Sequence, residues 1–213
     1  AKNKPKFREI FSKSAAINRL SAARLFLFAA RDVWFVVALP VFLAQSLGWD
    51  YWSIGSFMAA WVIGYGALQS LAPWITGRPS NPLPDGRSAF SWAAVLASIP
   101  AVMALLLMRG GDPQLIVLGG LTAFGVLFAI NSSLHSYLIL SYASADGVSL
   151  DVGFYYMANA LGRLIGTILS GWVFQMAGLT ACLWISAAFV VAAALISIGL
   201  PRGARPPHQP IRN

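Results

Sequence analysis

Six long apolar stretches dominate this sequence of 213 residues. A helix rises about 1.5 Å per residue and the hydrocarbon core of a bilayer is about 30 Å thick, so a spanning helix needs about 20 mainly apolar residues. Lipid offers the backbone no hydrogen-bond partners, so such stretches cross only as helices. The sequence therefore predicts an all-α transmembrane protein whose last two spans are separated by a break at Gly178. The six predicted spans are 22–47, 51–74, 88–108, 114–142, 152–176 and 179–200.

The composition agrees with a lipid environment. Hydrophobic residues make up 58% and charged residues 10% of the chain, whereas about a quarter of the residues in a soluble domain are charged. The net charge of +8 could suggest nucleic-acid binding, but most basic residues flank the apolar stretches. The single cysteine, Cys182, has apolar neighbours and is predicted to be a packing residue. We predict neither a cofactor nor a metal site.

Basic residues outside the spans predict the orientation. If six spans alternate, ten Lys and Arg fall on one side and only Arg109 falls on the other. Because cytoplasmic loops are enriched in Lys and Arg, the basic side and both termini are predicted to be cytoplasmic. The ten residues are Lys2, Lys4, Lys6, Arg8, Lys13, Arg78, Arg87, Arg202, Arg205 and Arg212.

The chain divides into three predicted segments. Residues 1–14, which are basic and lack both a methionine and a signal-peptide layout, are predicted to end a central cytoplasmic linker. Residues 15–200 form the transmembrane domain, and residues 201–213, rich in Pro and Arg, form a disordered cytoplasmic tail. The proline-containing loop 76–87 is predicted to be an ordered bend.

Polar side chains are distributed unevenly among the spans. The first, second, fourth and fifth spans carry polar residues in their interiors, whereas the third and sixth carry no ionisable one. Polar groups in a membrane face a bundle interior or an aqueous path. The pattern indicates a six-helix bundle of two three-helix inverted repeats, with each third helix at the periphery.

Three charged residues of the first span are candidates for a binding site. Only fifteen residues, 33–47, follow Asp32 before the turn at Gly48, so Arg31 and Asp32 lie within the hydrocarbon. We expect both to line a cavity, and a structural ion pair is the alternative. Arg24 lies on the same helix face as Arg31 and is predicted either to bind substrate or to extend to the lipid headgroups.

The fifth span carries two stripes. Tyr155, Asn159 and Arg163 recur every four residues and are predicted to line the substrate path, since an unpaired arginine in lipid costs at least about 2.5 kcal/mol. Small residues, which allow close helix approach, form the second stripe and predict a packing face. These residues are Gly162, Gly166 and Ser170.

Asn131 and His135 share one face of the fourth span. Asn131 is a candidate for substrate binding. His135 is a candidate either for proton coupling or for a hydrogen-bonded helix contact, and Asp32 is a second candidate for proton coupling or charge pairing. On the second span, a stripe of Phe57, Trp61, Tyr65 and Gln69 is predicted to pack, and ligand contact is the alternative.

The balance of charge inside the spans favours an anionic substrate. Arg24, Arg31 and Arg163 outnumber Asp32, and guanidinium groups match the geometry of phosphate and carboxylate. One His, one Cys and one Asp in the spans, with no motif that groups them, argue against an enzyme. This chain contains no phosphate-binding loop that would indicate a nucleotide-driven pump.

Two motifs resemble a known family. The stretch NALGRLIGTILSGWVFQMAG, residues 159–178, is similar to the eleventh helix of major facilitator superfamily transporters, and PDGRSA, residues 84–89, resembles a degenerate form of their signature loop. The resemblance implies that the spans are equivalent to helices 7 to 12 of twelve. It also implies a missing N-terminal half of six helices as a partner, alternating access as the mechanism and a bilayer as the environment.

A longer stretch resembles the organoarsenical efflux permeases of the ArsJ type. It covers residues 4–49, with AARDVWFVVALPVF as its strongest part, and continues in WVIGYGALQSLAP. The resemblance implies a bacterial inner-membrane exporter of 1-arseno-3-phosphoglycerate that confers arsenate resistance. It also implies a functional link to a glyceraldehyde-3-phosphate dehydrogenase. The likeness to organophosphate exchangers of the superfamily, in which arginines on the first and seventh helices clamp the phosphate, makes Arg31 the candidate for the seventh-helix arginine. The alternatives are an exporter of another organic anion or drug, and a stand-alone six-helix channel or scaffold.

Overall fold

The computed structural model describes residues 14–76, 84–143 and 148–201. In this part of the chain all regular structure is helical, and five stretches are long and apolar enough to cross a membrane. The predicted all-helical, membrane-spanning fold is thereby confirmed. The predicted linker up to residue 13, most of the loop bend and the tail from residue 202 lie outside the described residues. The helices are α1 (Ala15–Phe35), α2 (Ala38–Leu47), α3 (Tyr51–Thr76), α4 (Gly86–Met108), α5 (Pro113–Tyr142) and α6 (Val148–Ile198).

Helix α6 is bent back on itself and makes two passes. Gly178 interrupts it with φ 71° and ψ −174°, a conformation that glycine adopts readily because it has no Cβ. The Sγ atom of Cys182 lies 4.0 Å from the carbonyl oxygen of Ser170, whereas twelve residues of straight helix would separate them by about 18 Å. We name residues 148–177 the first arm and residues 179–198 the second arm. The predicted break at Gly178 is confirmed.

The first span is not the single helix predicted from residue 22 to residue 47. Helix α1 starts earlier, after Ser14, whose side chain caps it by accepting from the N–H of Ile17 at 3.5 Å. It ends at Phe35, and α2 begins at Ala38. Pro40 explains the interruption, because proline has no N–H and its ring clashes with the carbonyl four residues earlier.

A serine from a neighbouring helix satisfies the backbone at this interruption. The Ser170 hydroxyl, on the first arm of α6, accepts hydrogen bonds from the N–H groups of Val37 at 3.3 Å and Ala38 at 3.0 Å. Ser170 is completely buried. In lipid a broken helix persists only where another group takes over its backbone hydrogen bonds, so Ser170 holds the junction of α1 and α2.

Replacing Ser170 with alanine is expected to destabilise the protein by about 1–3 kcal/mol, because two buried amides lose their acceptor. Denaturant titration in detergent micelles measures this change. Ser197→Ala is the matched control, since Ser197 is also buried on α6 but its hydroxyl bonds only to Ala193 of its own helix, at 2.8 Å. Equal losses for the two variants would contradict the role assigned to Ser170.

Helix α1 lies at the centre of the described bundle. Its residues contact both arms of α6 and also α5, and Trp34, for example, is fully buried with its ring 5.3 Å from that of Phe124 on α5. Large apolar residues on the outer helices, such as Leu164 and Trp172 on the first arm, are exposed. A membrane protein needs such a surface toward lipid, because apolar residues there cost nothing in hydrocarbon.

Small residues bring α1 and the first arm of α6 unusually close. A Cβ atom at Gly162 would collide with the carbonyl oxygen of Leu25, and one at Gly166 would lie 2.8 Å from the carbonyl oxygen of Ala29 and 2.9 Å from the Cβ of Asp32. Contacts of this kind require glycine on one side. The small-residue stripe therefore brings α1 and α6 together at the level of Asp32.

Three aspartates outside the apolar segments cap helices. Asp50, Asp85 and Asp112 accept hydrogen bonds from backbone N–H groups in the first turns of α3, α4 and α5. The Ser53 hydroxyl also donates to Asp50 at 2.6 Å and lowers its pKa. Because this pKa lies below the ordinary value of 3.8, the cap is effective at neutral pH and is lost only as the pH falls below that value.

Candidate functional site

Two arginines from different helices share one buried carboxylate. Arg31 Nε on α1 donates to Asp32 Oδ1 at 2.6 Å, and Arg163 Nε on the first arm of α6 donates to Asp32 Oδ2 at 3.2 Å. The side chain of Asp32 is 1% exposed. A buried carboxylate is tolerated only when its oxygens are paired, and here each oxygen has its own guanidinium.

The two guanidinium groups keep hydrogen-bonding capacity. Each uses its Nε atom for Asp32, and no further side-chain hydrogen bond of Arg31 or Arg163 joins them to the rest of the described chain. A guanidinium has five N–H donors, so the outer Nη groups remain available. Arg31 is 12% exposed and Arg163 is 58% exposed, so Arg163 is the more accessible of the pair. The three side chains together carry a net charge of +1.

One aromatic ring contacts both a member of this pair and a third arginine. The Cζ atom of Arg31 lies 5.0 Å from the centre of the Phe28 ring, and that of Arg24 lies 4.1 Å from the same centre. Arg31 also lies 5.4 Å from the centre of Phe128 on α5. Cation–π contacts of this kind hold guanidinium groups in place where they are shielded from water. Phe28 was not among the residues predicted from the sequence, although its position between the two arginines on one helix was a usable signal.

Arg24 is buried and does not extend to the headgroups. It is 4% exposed, its Nη1 atom donates to both the carbonyl and the hydroxyl oxygen of Ser132 on α5 at 3.1 Å, and its Cζ lies 5.0 Å from the ring centre of Tyr155 on α6. The alternative that Arg24 extends to the lipid headgroups is therefore wrong, because its guanidinium is bound by Ser132 and contacts two aromatic rings. Arg24 links α1, α5 and α6 and is separate from the Asp32 pair.

The remaining candidates occupy different surroundings. Asn131 donates to the carbonyl oxygens of Trp92 on α4 at 3.1 Å and of Leu127 at 2.9 Å, so it joins α5 to α4 and does not reach Asp32. His135 is buried, and its Nδ1 atom has no hydrogen bond to the described residues. Asn159 is half-buried on the face of α6 between Tyr155 and Arg163.

The aromatic residues of α3 pack against α1 and α5. The Trp61 ring lies 4.4 Å from that of Phe35, and its Nε1 atom donates to the carbonyl oxygen of Leu121 at 3.2 Å. The ring of Tyr65 lies 5.7 Å from that of Phe128, which also faces Arg31. These side chains form an aromatic wall next to the arginine pair.

The structure thus brings together the Arg31, Asp32 and Arg163 side chains near Phe28, and Arg24 contacts the same ring as well as that of Tyr155. Such a set offers cationic donors within an apolar helical bundle.

The family model described as Major Facilitator Superfamily matches residues 20–213. No curated protein matches the chain. With five helical stretches in the described residues that are long and apolar enough to cross a membrane, and a family match over most of its length, the chain belongs to the Major Facilitator Superfamily and is a multi-pass membrane transporter protein.

Proposed function

We propose that this chain carries the arginine-lined part of the substrate site of a secondary transporter that moves an organic anion by alternating access. The observation that carries the proposal is the shared carboxylate: Arg31 and Arg163, from α1 and α6, meet at Asp32. A second half, with six further helices, would complete the path.

The charge at this site favours an anion. A cationic substrate would meet two guanidinium groups for one carboxylate, whereas an oxyanion gains charge-assisted hydrogen bonds from the free Nη groups. The low dielectric of the bundle strengthens both effects. Arg24 contacts the same Phe28 ring as Arg31 and adds a further positive charge on the same helix.

Asp32 has the properties of an exchangeable counter-ion. Its two oxygens hold two guanidinium groups in the way that a substrate phosphate or carboxylate would. An incoming anion therefore competes with Asp32 for Arg31 and Arg163. Because binding of the anion exchanges the partners of Asp32, we assign proton coupling to Asp32 ahead of His135.

The finer proposal is that the anion is 1-arseno-3-phosphoglycerate and that the transporter is an exporter conferring arsenate resistance. It rests on the resemblance of residues 4–49 to the organoarsenical permeases and on the charge of the site. Trivalent arsenite would prefer a cluster of thiolates, and Cys182 is the chain's single cysteine. In this proposal the protein lies in a bacterial inner membrane with both termini cytoplasmic. A glyceraldehyde-3-phosphate dehydrogenase supplies the substrate.

An exporter of another organic anion is the second candidate. Phe28 and two rings of the aromatic wall, Tyr65 and Phe128, lie next to the guanidinium pair. Such rings suit a substrate that has an apolar or planar part beside its negative charge. The two candidates share the anion site and differ in what packs beside it.

Everted membrane vesicles that contain the full-length transporter test the substrate. We expect uptake of the radiolabelled product that glyceraldehyde-3-phosphate dehydrogenase forms from arsenate, and we expect competition by 3-phosphoglycerate. Competition by aromatic carboxylates alone would favour the second candidate. Competition by a cationic drug but not by either anion would contradict the anion site itself.

Asp32→Asn tests the exchange of counter-ions. The variant is expected to bind the anion about fivefold to thirtyfold more tightly, the factor for about 1–2 kcal/mol of lost competition, and to lose the pH dependence of transport. Equilibrium binding and uptake across a pH series measure the two effects. Asp112→Asn is the control, because Asp112 caps α5 outside the apolar segments and asparagine caps helices nearly as well. Unchanged affinity and pH dependence in Asp32→Asn would contradict the proposal.

A further inference from the structure

A small cavity lies between α4 and the end of α6, away from the arginine pair. Its volume is about 260 Å³, and Gly86, Arg87 and Phe90 of α4 line it together with Ile198 and Leu200. Pockets that enclose a complete small molecule are usually about 300–1,000 Å³. This cavity therefore accommodates part of a ligand, with the rest outside the protein.

The walls of the cavity are fixed by contacts among several helices. The N–H of Gly86 and the hydroxyl of Tyr142 both donate to the carbonyl oxygen of Pro201, at 3.2 and 3.3 Å. Arg19 Nη1 on α1 donates to the carbonyl oxygen of Gly199 at 2.5 Å. The end of the second arm is thus tied to α1, α4 and α5, and the cavity is a defined part of the fold.

Arg87 is the charged group of the cavity. Within the described part of the chain its guanidinium makes no hydrogen bond or ion pair. The backbone N–H groups of Arg87 and Ser88 are already bound by Asp85, at 3.0 and 3.1 Å. An anion at this point would therefore bind through the Arg87 side chain and not through the start of the helix.

The apolar lining points to a lipid. Phe90 lies one turn further along α4 than Arg87, and it and Ile198 at the end of the second arm are both exposed large hydrophobic residues. A cation at the end of a spanning helix with apolar side chains one turn deeper matches a lipid, whose phosphate lies above its acyl chains. This end of the bundle is the one predicted to be cytoplasmic.

We propose that the cavity between α4 and the end of α6 binds an anionic phospholipid, with its phosphate at Arg87 and its acyl chains along Phe90 and Ile198. The enrichment of basic residues in cytoplasmic loops accounts for a charge at this end. It does not account for a fixed cavity that places this charge beside an apolar wall.

Native mass spectrometry of the delipidated full-length protein tests whether this cavity binds an anionic phospholipid. The protein is titrated with dioleoyl phosphatidylglycerol or dioleoyl phosphatidylcholine. We expect preferential binding of phosphatidylglycerol, weakened about fivefold by Arg87→Ala, the effect of one basic residue near an anionic lipid surface. Arg87→Lys should retain most of the binding. Ile198→Trp should weaken it with the charge intact, because the larger side chain fills the apolar part.

Arg109→Ala is the matched control, since Arg109 follows the opposite end of the same helix and is also exposed. Equal binding of the two lipids, or equal effects of Arg87→Ala and Arg109→Ala, would overturn the proposal. So would displacement of the lipid by millimolar glycerol 3-phosphate, because that result would identify a site for a soluble anion. None of these outcomes depends on the transported substrate.

Discussion

Arg31→Ala is expected to lower kcat/KM for the anionic substrate about tenfold to a hundredfold, because a hydrogen bond to a charged group contributes about 1.5–3 kcal/mol. Arg31 is the inner member of the pair that shares Asp32, and Phe28 and Phe128 hold its guanidinium in place. Arg31→Lys keeps the charge but loses the planar fork, so it should recover only part of the activity. Initial rates of uptake into everted vesicles give kcat/KM for the wild type and for the two variants.

A companion variant separates transport from folding. Removing Arg31 takes one partner from a buried carboxylate, which can also destabilise the protein. Arg163→Ala takes the other partner from Asp32, but Arg163 is 58% exposed and Arg31 is 12% exposed, so Arg163→Ala is expected to cost less stability than Arg31→Ala. It should nevertheless lose transport of the anion. If both Arg31→Ala and Arg163→Ala took up the anion at the wild-type rate, the proposal that these two arginines bind it would be wrong.

Gly162→Ala is expected to give the second large effect. A Cβ atom at this position would collide with the carbonyl oxygen of Leu25 in α1. Backbone cannot move as a flexible side chain does, so α1 and the first arm of α6 must separate, at a cost of at least about 1–3 kcal/mol. The separation would also lengthen the distance between Arg163 and Asp32, because this ion pair joins the same two helices. Denaturant titration in micelles measures the stability, and vesicle uptake measures the transport.

Gly153→Ala provides the matched comparison on the same arm of α6. No atom lies within 4 Å of a Cβ built at Gly153, and alanine is favoured over glycine in a helix by up to about 1 kcal/mol. The control should therefore be as stable as the wild type or more stable. If Gly162→Ala behaves in the same way, the close approach of α1 and α6 does not limit the packing of this bundle.

Much of the membrane architecture was predictable because each property belongs to one segment. Span length follows from the number of apolar residues, and the break at Gly178 follows from the freedom of glycine. The position of Arg31 and Asp32 within the hydrocarbon, inferred from the fifteen residues that follow Asp32, stays a prediction. The interruption at Pro40 had an equally local signal, but a continuous apolar stretch obscured it.

The pairings within the site needed the packed helices. Arg163 meets Asp32 across 131 positions, and Arg24 meets Ser132 across 108 positions. Helical periodicity places a residue on a face of its own helix, but it does not say which neighbour that face meets or at what height. Asn131 illustrates this limit, since the periodicity placed it with His135 but its amide bonds to α4.

Hydrophobicity and helical period were thus sufficient for the spans, their charged residues and the packing stripe of α6, because lipid acts on each segment separately. The arginine pair around Asp32, the buried position of Arg24 and the support of the α1 to α2 junction by Ser170 depend on how the helices meet. Their register is set by the contact of Gly162 and Gly166 with the α1 backbone. That contact involves two distant segments at once, and so it exists only in the folded bundle.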